Sequence, residues 1–275
     1  MQSLLLDKDI ALVSGRDGYF LVNRNDVYVG KAIEIYGEYN ARESEIFPFL
    51  IGPGDYVIEV GANIGSHTVG IAKRVGEGGK VFAFEPQRVC FALLQAQIAL
   101  NQLYNVHAFN EGIGARDAVM SIPAMDYRKQ GNFGGVSLRQ EGAATDEKVV
   151  VRRLDDLFPD VSIKLVKIDV EGMEREVLEG ARSLIERSRP ILYVENDRIE
   201  KSPALIELLF SMDYRLWWHF PPLFNPDNHF GVRENIYGDT ASFNMLGIHR
   251  SIQSNLQGFR EILDSREPHP LLGAA

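Results

Sequence analysis

A short glycine-containing loop at residues 61–65 constrains the fold of this chain more than any other feature of its sequence. The apolar residues 56–60 before the loop predict a buried strand, and residues 64–75 after it predict a helix. Residues 80–84 predict a second strand, which ends directly before Glu85. Because a helix that crosses between two strands implies parallel pairing, we expect an open α/β sheet with a ligand-binding crevice beyond the carboxyl ends of its strands.

The rest of the chain continues the same alternation of apolar and amphipathic segments. Further strands are predicted at residues 106–109, 164–169, 191–195, 214–218 and 242–249. Apolar positions at helical spacing predict helices within residues 90–98, 177–185 and 204–212. About seven strands, with helices between the first five, indicate a Rossmann-like α/β fold with helices on both faces of a mostly parallel sheet.

The length of 275 residues fits one domain, residues 1–275, with its core at about residues 50–250. Residues 115–153 predict a β-rich insertion, and the irregular residues 218–241, rich in Pro, Asn and aromatic side chains, predict a substrate loop. Residues 251–275 predict a short C-terminal helix followed by a tail. No apolar segment reaches the length of a membrane span, and charged residues interrupt the N-terminal leucines, which argues against a secretion signal.

The composition of the loop discriminates between nucleoside cofactors. A dinucleotide-binding loop needs a glycine where this chain has Asn63, because pyrophosphate approaches the backbone closely there. S-adenosyl-L-methionine has no phosphate, and Asn63 and Glu59 offer polar partners for its amino-acid part. Glu85 is placed to accept hydrogen bonds from the ribose hydroxyls. We therefore favour S-adenosyl-L-methionine, with an NAD-dependent oxidoreductase and a non-catalytic cofactor-binding module as the alternatives.

The charge of the chain bears on its partners. A net charge of −9 argues against DNA or RNA, because nucleic-acid binding normally requires a positive field. Arg152, Arg153 and residues 164–167 are candidates for a local basic patch, and solvated surface charge is the simpler interpretation of them. The single cysteine, Cys90, excludes an internal disulfide and indicates a reducing, cytoplasmic location.

Several motifs of this chain resemble the FkbM family of class I methyltransferases. They are Glu59-Val-Gly-Ala-Asn-Ile-Gly-Ser-His-Thr68 with Phe84-Glu-Pro86, Val151-Arg-Arg-Leu-Asp-Asp-Leu157, Lys167-Ile-Asp-Val-Glu-Gly-Met-Glu174 and Ser242-Phe-Asn-Met-Leu246. The resemblance covers roughly residues 36–250 and implies a seven-stranded sheet with an antiparallel last strand. It also implies S-adenosyl-L-methionine as the methyl donor and O-methylation of a hydroxyl on a sugar, a glycan or a secondary metabolite.

The resemblance and the loop together assign the cofactor-binding residues. They are Glu59, Gly61, Ala62, Asn63, Gly65, His67, Glu85, Pro86, Glu111, Gly112 and Asp169. Glu111 and Gly112 are included because the loop after the third strand commonly lies beside the adenine in class I methyltransferases. Residues 36–39 and Glu43 resemble the family's N-terminal lead-in, which is expected to cover the cofactor.

Candidate catalytic residues follow the predicted strand ends. A hydroxyl acceptor must lose a proton, so Asp169, Glu195 and His219 are the candidate bases. The substrate candidates are Asn132 in the insertion and Trp218, Phe224, Asn225 and His229 in the substrate loop. No cluster with obvious metal-ligand spacing is present in the sequence, so no metal is predicted. The expected partner is a small-molecule or glycan acceptor, and the oligomeric state stays open.

Overall fold

The computed structural model describes residues 3–254 and 256–272, so residues 1, 2, 255 and 273–275 of the predicted domain and tail lie outside the described residues. The strands are β1 (Ser3–Leu5), β2 (Ile10–Ser14), β3 (Tyr19–Asn23), β4 (Tyr56–Val60), β5 (Lys80–Phe84), β6 (Val106–Phe109), β7 (Gly112–Ile113), β8 (Ala118–Ile122), β9 (Glu147–Arg152), β10 (Leu165–Ile168), β11 (Ile191–Glu195), β12 (Tyr214–His219), β13 (Asn244–His249) and β14 (Arg260–Ile262). The helices are α1 (Val29–Tyr36), α2 (Ala41–Ser44), α3 (Phe47–Leu50), α4 (Thr68–Val75), α5 (Arg88–Leu100), α6 (Leu154–Leu157), α7 (Glu174–Glu179), α8 (Arg182–Ser188) and α9 (Ser202–Ser211), and a 3₁₀ helix spans Pro270–Leu272.

The main sheet has eight strands within the described residues, in the order β14-β12-β13-β11-β10-β4-β5-β6. Strands β6, β5, β4, β10 and β11 are parallel, because crossover connections return the chain to the same edge after each strand. β13 runs antiparallel to both β11 and β12. This topology confirms the predicted Rossmann-like α/β fold, including the antiparallel strand within residues 242–249. The described sheet has eight strands instead of the predicted seven, because β14 extends it beyond β12.

Apolar side chains cover both faces of the main sheet. Val57 and Ile58 are neighbours in β4, and strand geometry sends their side chains to opposite faces. Val57 packs in a cluster that contains Leu94 of α5, and Ile58 packs in a second cluster that contains Val177 of α7 and Leu209 of α9. Each face is therefore closed by its own helices, as the sequence predicts. None of the helices in the described part of the chain has the length and apolar character needed to cross a membrane.

The C-terminal region differs from its prediction. The sequence predicts a helix within residues 251–275, whereas the structure has the strand β14 and the 3₁₀ helix there. β14 pairs antiparallel with β12, which places Ile262 opposite Leu216 at the edge of the main sheet. Ile262 is 2% exposed, so burial against the sheet outweighs the local helical preference of this segment.

Two additions flank the main sheet. In the predicted insertion, β8 and β9 pair antiparallel and β7 pairs parallel to β9, while residues 135–138 are irregular. At the N-terminus, β1–β3 form a further sheet that the sequence analysis did not identify. The fully buried amide of Gln97 docks β3 onto α5, because it accepts from the Leu21 N–H at 2.8 Å and donates to the Leu21 oxygen at 3.0 Å. This N-terminal layer, residues 3–50, carries α2 to the functional edge of the main sheet.

Candidate active site

A cleft opens beyond the carboxyl ends of β4, β5, β10 and β11. It brings together most of the side chains that the sequence assigns to the cofactor and to the chemistry. They are Glu59, Gly61, Ala62, Asn63, His67, Glu85, Pro86, Glu111, Gly112, Asn132, Asp169 and Glu195. The predicted residues thus meet at the edge of the sheet where an open parallel fold is expected to bind its ligand.

Gly61 turns the chain sharply at the carboxyl end of β4. Its φ is +86°, and a β-carbon built on it would lie 1.8 Å from the backbone oxygen of Asp169. The N–H groups of Gly61 and Ala62 both donate to the Phe84 oxygen, at 2.9 Å each. Glycine is required here both for the left-handed backbone and for the close approach of the chain after β10.

Glu85 is held at the tip of β5 by two backbone donors. The Asn63 N–H donates to Oε2 and the Gln87 N–H donates to Oε1, each at 2.8 Å. Burial raises the pKa of Glu85 to about 7, although both bonds favour the charged form. Each carboxylate oxygen has more than one lone pair, so Glu85 can also accept two hydroxyl donors from the cleft.

Glu59 is an acidic residue inside the buried strand β4 and is 1% exposed. Thr68 Oγ1 donates to its Oε2 at 2.6 Å. Burial raises the pKa of Glu59 to about 7, and Lys167, which lies opposite it in β10, counters that rise. The strand therefore presents a carboxylate to the cleft directly before the Gly61 turn.

Lys167 lies among the carboxylates of the cleft, and the interpretation of residues 164–167 as solvated surface charge is wrong for it. Lys167 is 1% exposed, its Nζ donates to Asp169 Oδ2 at 2.9 Å, and its Nζ lies 3.9 Å from Glu43 Oε1. Burial alone would lower the pKa of Lys167, but the carboxylates of Asp169, Glu43 and Glu59 outweigh burial and raise it. The apolar neighbours of Lys167 in its strand were the sequence signal for this burial.

The N-terminal layer contributes Asn40 and Glu43 to the lining of the cleft. Of the two, only Glu43 is predicted from the sequence, within the segment that resembles the family's N-terminal lead-in. Glu43 Oε2 accepts hydrogen bonds from Asn40 Nδ2 at 2.5 Å and from Asn244 Nδ2 at 3.2 Å. Asn40 and Glu43 are 4% and 2% exposed. The burial of both residues depends on β13, which is remote in sequence, so no local pattern could reveal it.

His67 lies between α2 and the start of α4. Its Nδ1 is hydrogen-bonded to Ser44 Oγ at 3.0 Å, and its Nε2 is 3.5 Å from Glu43 Oε1. Burial, together with the charge of Lys167, lowers the pKa of His67 to about 3. The ring is therefore neutral at physiological pH, and it serves as a hydrogen-bonding group of the cleft.

Three carboxylates converge where β10 and β11 end. Asp169, Glu171 and Glu195 bring one oxygen each within 4.8 Å of one another, a spacing that can hold a cation. Asp169 is paired with Lys167, and Glu171 with Arg198. Glu195 Oε2 is buried and has no hydrogen-bond partner among the described residues. Burial, reinforced by the nearby Asp169, raises the pKa of Glu195 well above its ordinary value.

Gly65, His219 and Trp218 lie outside the set of described residues that lines the cleft. A β-carbon on Gly65, whose φ is +85°, would lie 2.8 Å from Leu94 Cδ1, so Gly65 allows α4 to begin close to α5. His219 Nδ1 is hydrogen-bonded to Tyr193 Oη at 2.7 Å, and Trp218 is 3% exposed. The three residues pack against their neighbours in this structure, whereas the sequence predicts cofactor, base and substrate roles for them.

Phe224, Asn225 and His229 attach the substrate loop to the N-terminal layer and likewise do not belong to the described lining of the cleft. Asn225 Nδ2 donates to Glu38 Oε1 and the His229 N–H donates to Glu38 Oε2, both at 2.8 Å. Phe224 packs on Tyr36, with ring centroids 5.6 Å apart. The sequence located the loop but not the side chains that face inward. The side chains that line the cleft belong to Leu223, Thr240 and Ala241 of the loop, and to Ser242 and Phe243 between the loop and β13.

Comparison with known proteins places the chain among methyltransferases. The family model described as Methyltransferase FkbM domain matches residues 59–216. "Methyltransferase 1" of Beauveria bassiana (strain ARSEF 2860) is 29% identical over 182 residues, which cover 56% of this chain and 71% of that protein. "Methyltransferase sdnD" of Sordaria araneosa is 29% identical over 155 residues, which cover 46% of this chain and 60% of that protein.

A solved structure, methyltransferase FkbM from Methylobacillus flagellatus KT, is similar at 18% sequence identity with a TM-score of 0.46. The match covers 75% of this chain and 50% of that one. This chain therefore spans half of the solved relative and 60% of the second curated relative. The match to the family model, rather than this structural likeness, shows the family of the chain.

Proposed function

Since this chain belongs to the FkbM methyltransferase family, we propose that it transfers a methyl group from S-adenosyl-L-methionine to a hydroxyl oxygen of a sugar, a glycan or a secondary metabolite. The observation that carries the proposal is the group formed by Glu59, Gly61, Asn63 and Glu85 at the carboxyl ends of β4 and β5. The cytoplasmic location rests on the unpaired, buried Cys90 and is part of the same proposal.

The buried polar groups of the cleft fit S-adenosyl-L-methionine. Glu85 would accept hydrogen bonds from the ribose hydroxyls, and Glu59 would accept from the ammonium of the methionine part. Asn63 Oδ1 is buried in the cleft with no hydrogen-bond partner among the described residues, so it can accept from the same ligand. Asn63 also stands where a dinucleotide requires glycine, which disfavours NAD. When bound, the cofactor supplies an electrophilic methyl group.

Glu195 is the group that we assign to remove the proton from the acceptor hydroxyl. Its Oε2 is buried in the cleft without a partner among the described residues. The raised pKa of Glu195 makes the carboxylate a better proton acceptor than an exposed one. Asp169 is bonded to Lys167, and we assign it the role of orienting the acceptor. His219 points to Tyr193 instead of the cleft and has no part in the proposal.

The cofactor part of the proposal is tested by Glu85→Gln. We expect this variant to bind S-adenosyl-L-methionine about tenfold more weakly or worse, because an uncharged amide accepts hydroxyl donors less strongly than a carboxylate. Wild-type affinity should fall as the pH drops below about 7, the pKa of Glu85, and this dependence should be weaker in Glu85→Gln. Isothermal calorimetry measures both effects, with the exposed Glu77→Gln as the control of equal charge change. Binding of NADH in place of S-adenosyl-L-methionine would contradict the proposal.

The catalytic part is tested by Glu195→Gln. An extract of hydroxylated small molecules, incubated with protein and methyl-labelled S-adenosyl-L-methionine, should yield a labelled ether product. We expect Glu195→Gln to form this product about 10²–10⁴-fold more slowly, the range of general base catalysis. The affinity of the variant for the cofactor should stay within about twofold of wild type. If Glu195→Gln keeps the wild-type rate, the base is another group.

A further inference from the structure

Two buried oxygen atoms of the cleft have no role in the proposed function. Asn40 Oδ1 and Glu43 Oε1 belong to residues that line the cleft, and neither has a hydrogen-bond partner among the described residues. The Asn40 amide orientation is set by its Nδ2, which donates to Glu43 Oε2 at 2.5 Å and to Ser242 Oγ at 2.7 Å. Two nitrogen atoms lie near Glu43 Oε1, beyond hydrogen-bond distance: His67 Nε2 at 3.5 Å and Lys167 Nζ at 3.9 Å. Because buried acceptors without donors are costly, these two atoms point to a ligand that supplies donors.

The hydrogen bonds of Asn40 and Glu43 connect both residues to the side of the cleft that follows the substrate loop. Asn40 is bonded to Ser242 at the end of the substrate loop, and Glu43 is bonded to Asn244 at the start of β13. Asn244 lies opposite Glu195 in the sheet, so both atoms belong to the side of the cleft that holds the proposed base. Glu85, the proposed partner of the ribose, follows β5, which lies two strands beyond β10 on the other side. We call the region formed by Asn40, Glu43, Asp169, Glu195 and Asn244 the acceptor half of the cleft.

The acceptor half has more acidic groups than basic ones. In the described part of the chain, more carboxyl groups than cations lie at the acceptor half. The carboxyl groups belong to Glu43, Asp169, Glu171, Glu195 and Asp197, and the cations are Lys167 and Arg198. Both cations are already committed, since Lys167 bonds to Asp169 and Arg198 pairs with Glu171 and Asp197. A positively charged ligand would therefore be favoured here, and an anionic one would be repelled.

We propose that the acceptor is an amino alcohol or amino sugar, whose ammonium group is bound by Asn40 Oδ1 and Glu43 Oε1 while a neighbouring hydroxyl is methylated. The proposal rests on the proposed function and names its substrate class. An ammonium has three donors and no acceptor, which matches the two oxygen acceptors Asn40 Oδ1 and Glu43 Oε1. A hydroxyl supplies one donor and no charge. The carboxylates whose spacing can hold a metal ion are Asp169, Glu171 and Glu195, and this group does not include Glu43.

The experiment compares the binding of serinol and glycerol, which differ only in having an amine or a hydroxyl on the central carbon. Serinol is glycerol with its central hydroxyl replaced by an amine, and ligand-observed NMR measures the affinity of each for protein saturated with S-adenosylhomocysteine. We expect serinol to bind about tenfold more tightly than glycerol at neutral pH, because hydrogen bonds to charged groups are stronger than neutral ones. Calorimetry on the same sample measures S-adenosylhomocysteine binding, so a failure of the proposed function is seen separately.

Two variants locate the ammonium site. Glu43→Gln removes the charge with little change of shape, and Asn40→Gly removes the amide at a residue whose φ of 48° glycine adopts freely. In each variant the preference for serinol should fall to within about twofold, whereas the exposed Glu77→Gln should retain it. Because the two substitutions act on different side chains, either one tests the site if the other fails to fold.

Three results would overturn the proposal. The first is that the wild type binds serinol and glycerol with equal affinity. The second is that the preference for serinol survives in both variants. The third is that the wild type binds Mg²⁺ and Glu43→Gln does not, and that neither probe binds unless Mg²⁺ is present. The last result would assign the subsite to a metal ion. If the second result comes with a loss of S-adenosylhomocysteine affinity in both variants, the two oxygen atoms belong to the cofactor site.

Discussion

Gly61→Ala is expected to lose measurable binding of S-adenosyl-L-methionine and to lower the free energy of unfolding by about 2 kcal/mol or more. Alanine pays the strain of a φ of +86°, and its β-carbon would lie 1.8 Å from the Asp169 oxygen. Backbone must move to relieve that overlap. The movement would displace the Gly61 turn together with Asp169, and both line the cleft. Calorimetry measures the binding, and chemical denaturation measures the stability.

Gly54→Ala is the matched control for this prediction. Gly54 has a φ of +88°, nearly that of Gly61, but a β-carbon there meets no atom within 4 Å. The Gly54→Ala variant should therefore lose only about 1–2 kcal/mol of unfolding free energy, from backbone strain, and keep its affinity for the cofactor. A Gly61→Ala variant that loses no more than Gly54→Ala in stability, and that binds S-adenosyl-L-methionine normally, would show that the close approach to Asp169 is unimportant.

Lys167→Met is expected to have the largest effect on stability, a loss of about 3–5 kcal/mol in the free energy of unfolding. Methionine matches the length of the buried stem but removes the charge that Asp169 and Glu43 share. Glu43, at 2% exposed, would then be buried without the cation that Lys167 supplies. Urea denaturation of both proteins at neutral pH measures the difference.

The pH dependence of Lys167→Met separates charge from packing. Removal of the cation raises the pKa of Glu43 further above its ordinary value of 4.5, so the folded state of the variant holds its proton more tightly than the unfolded state does. The variant's stability relative to wild type should therefore be best at low pH, where Glu43 is protonated in both folded proteins. It should fall as the pH rises above the folded pKa of Glu43 in the wild type, which itself lies above 4.5. Adding Glu43→Gln to the variant should recover part of the loss. If the double variant is as unstable as the sum of the two single variants, the loss comes from packing.

The sequence alone was informative wherever a function depends on residues that are close together in the chain. The strand, the Gly61 turn and the acid after the next strand form one continuous segment, so their arrangement follows from local pattern. The prediction of an FkbM-family methyltransferase is confirmed by the family match, and the predicted fold by the strand order. The roles of the individual residues stay predictions that the variants above test.

The sequence was least informative for long-range contacts at the acceptor end. The imidazole of His219 suits catalysis, and this residue follows the predicted strand at residues 214–218. The amide of Asn225 suits substrate binding, and this residue lies in the predicted substrate loop. The structure instead turns His219 toward Tyr193 and commits Asn225 to Glu38 of the N-terminal layer. A loop sequence does not encode which of its side chains face inward, because that depends on the surface against which the loop packs.

The Gly61 loop, the parallel sheet and Glu85 were determined by the sequence by itself, since glycine tolerance, strand period and helix period are local properties of the chain. The tertiary structure alone decided that Asn40, Glu43 and Lys167 belong to the same cleft. Their burial arises where the N-terminal layer, β10 and the start of β13 pack together. A charged side chain becomes a buried functional group only through neighbours that fold onto it, and those neighbours are far away in the sequence.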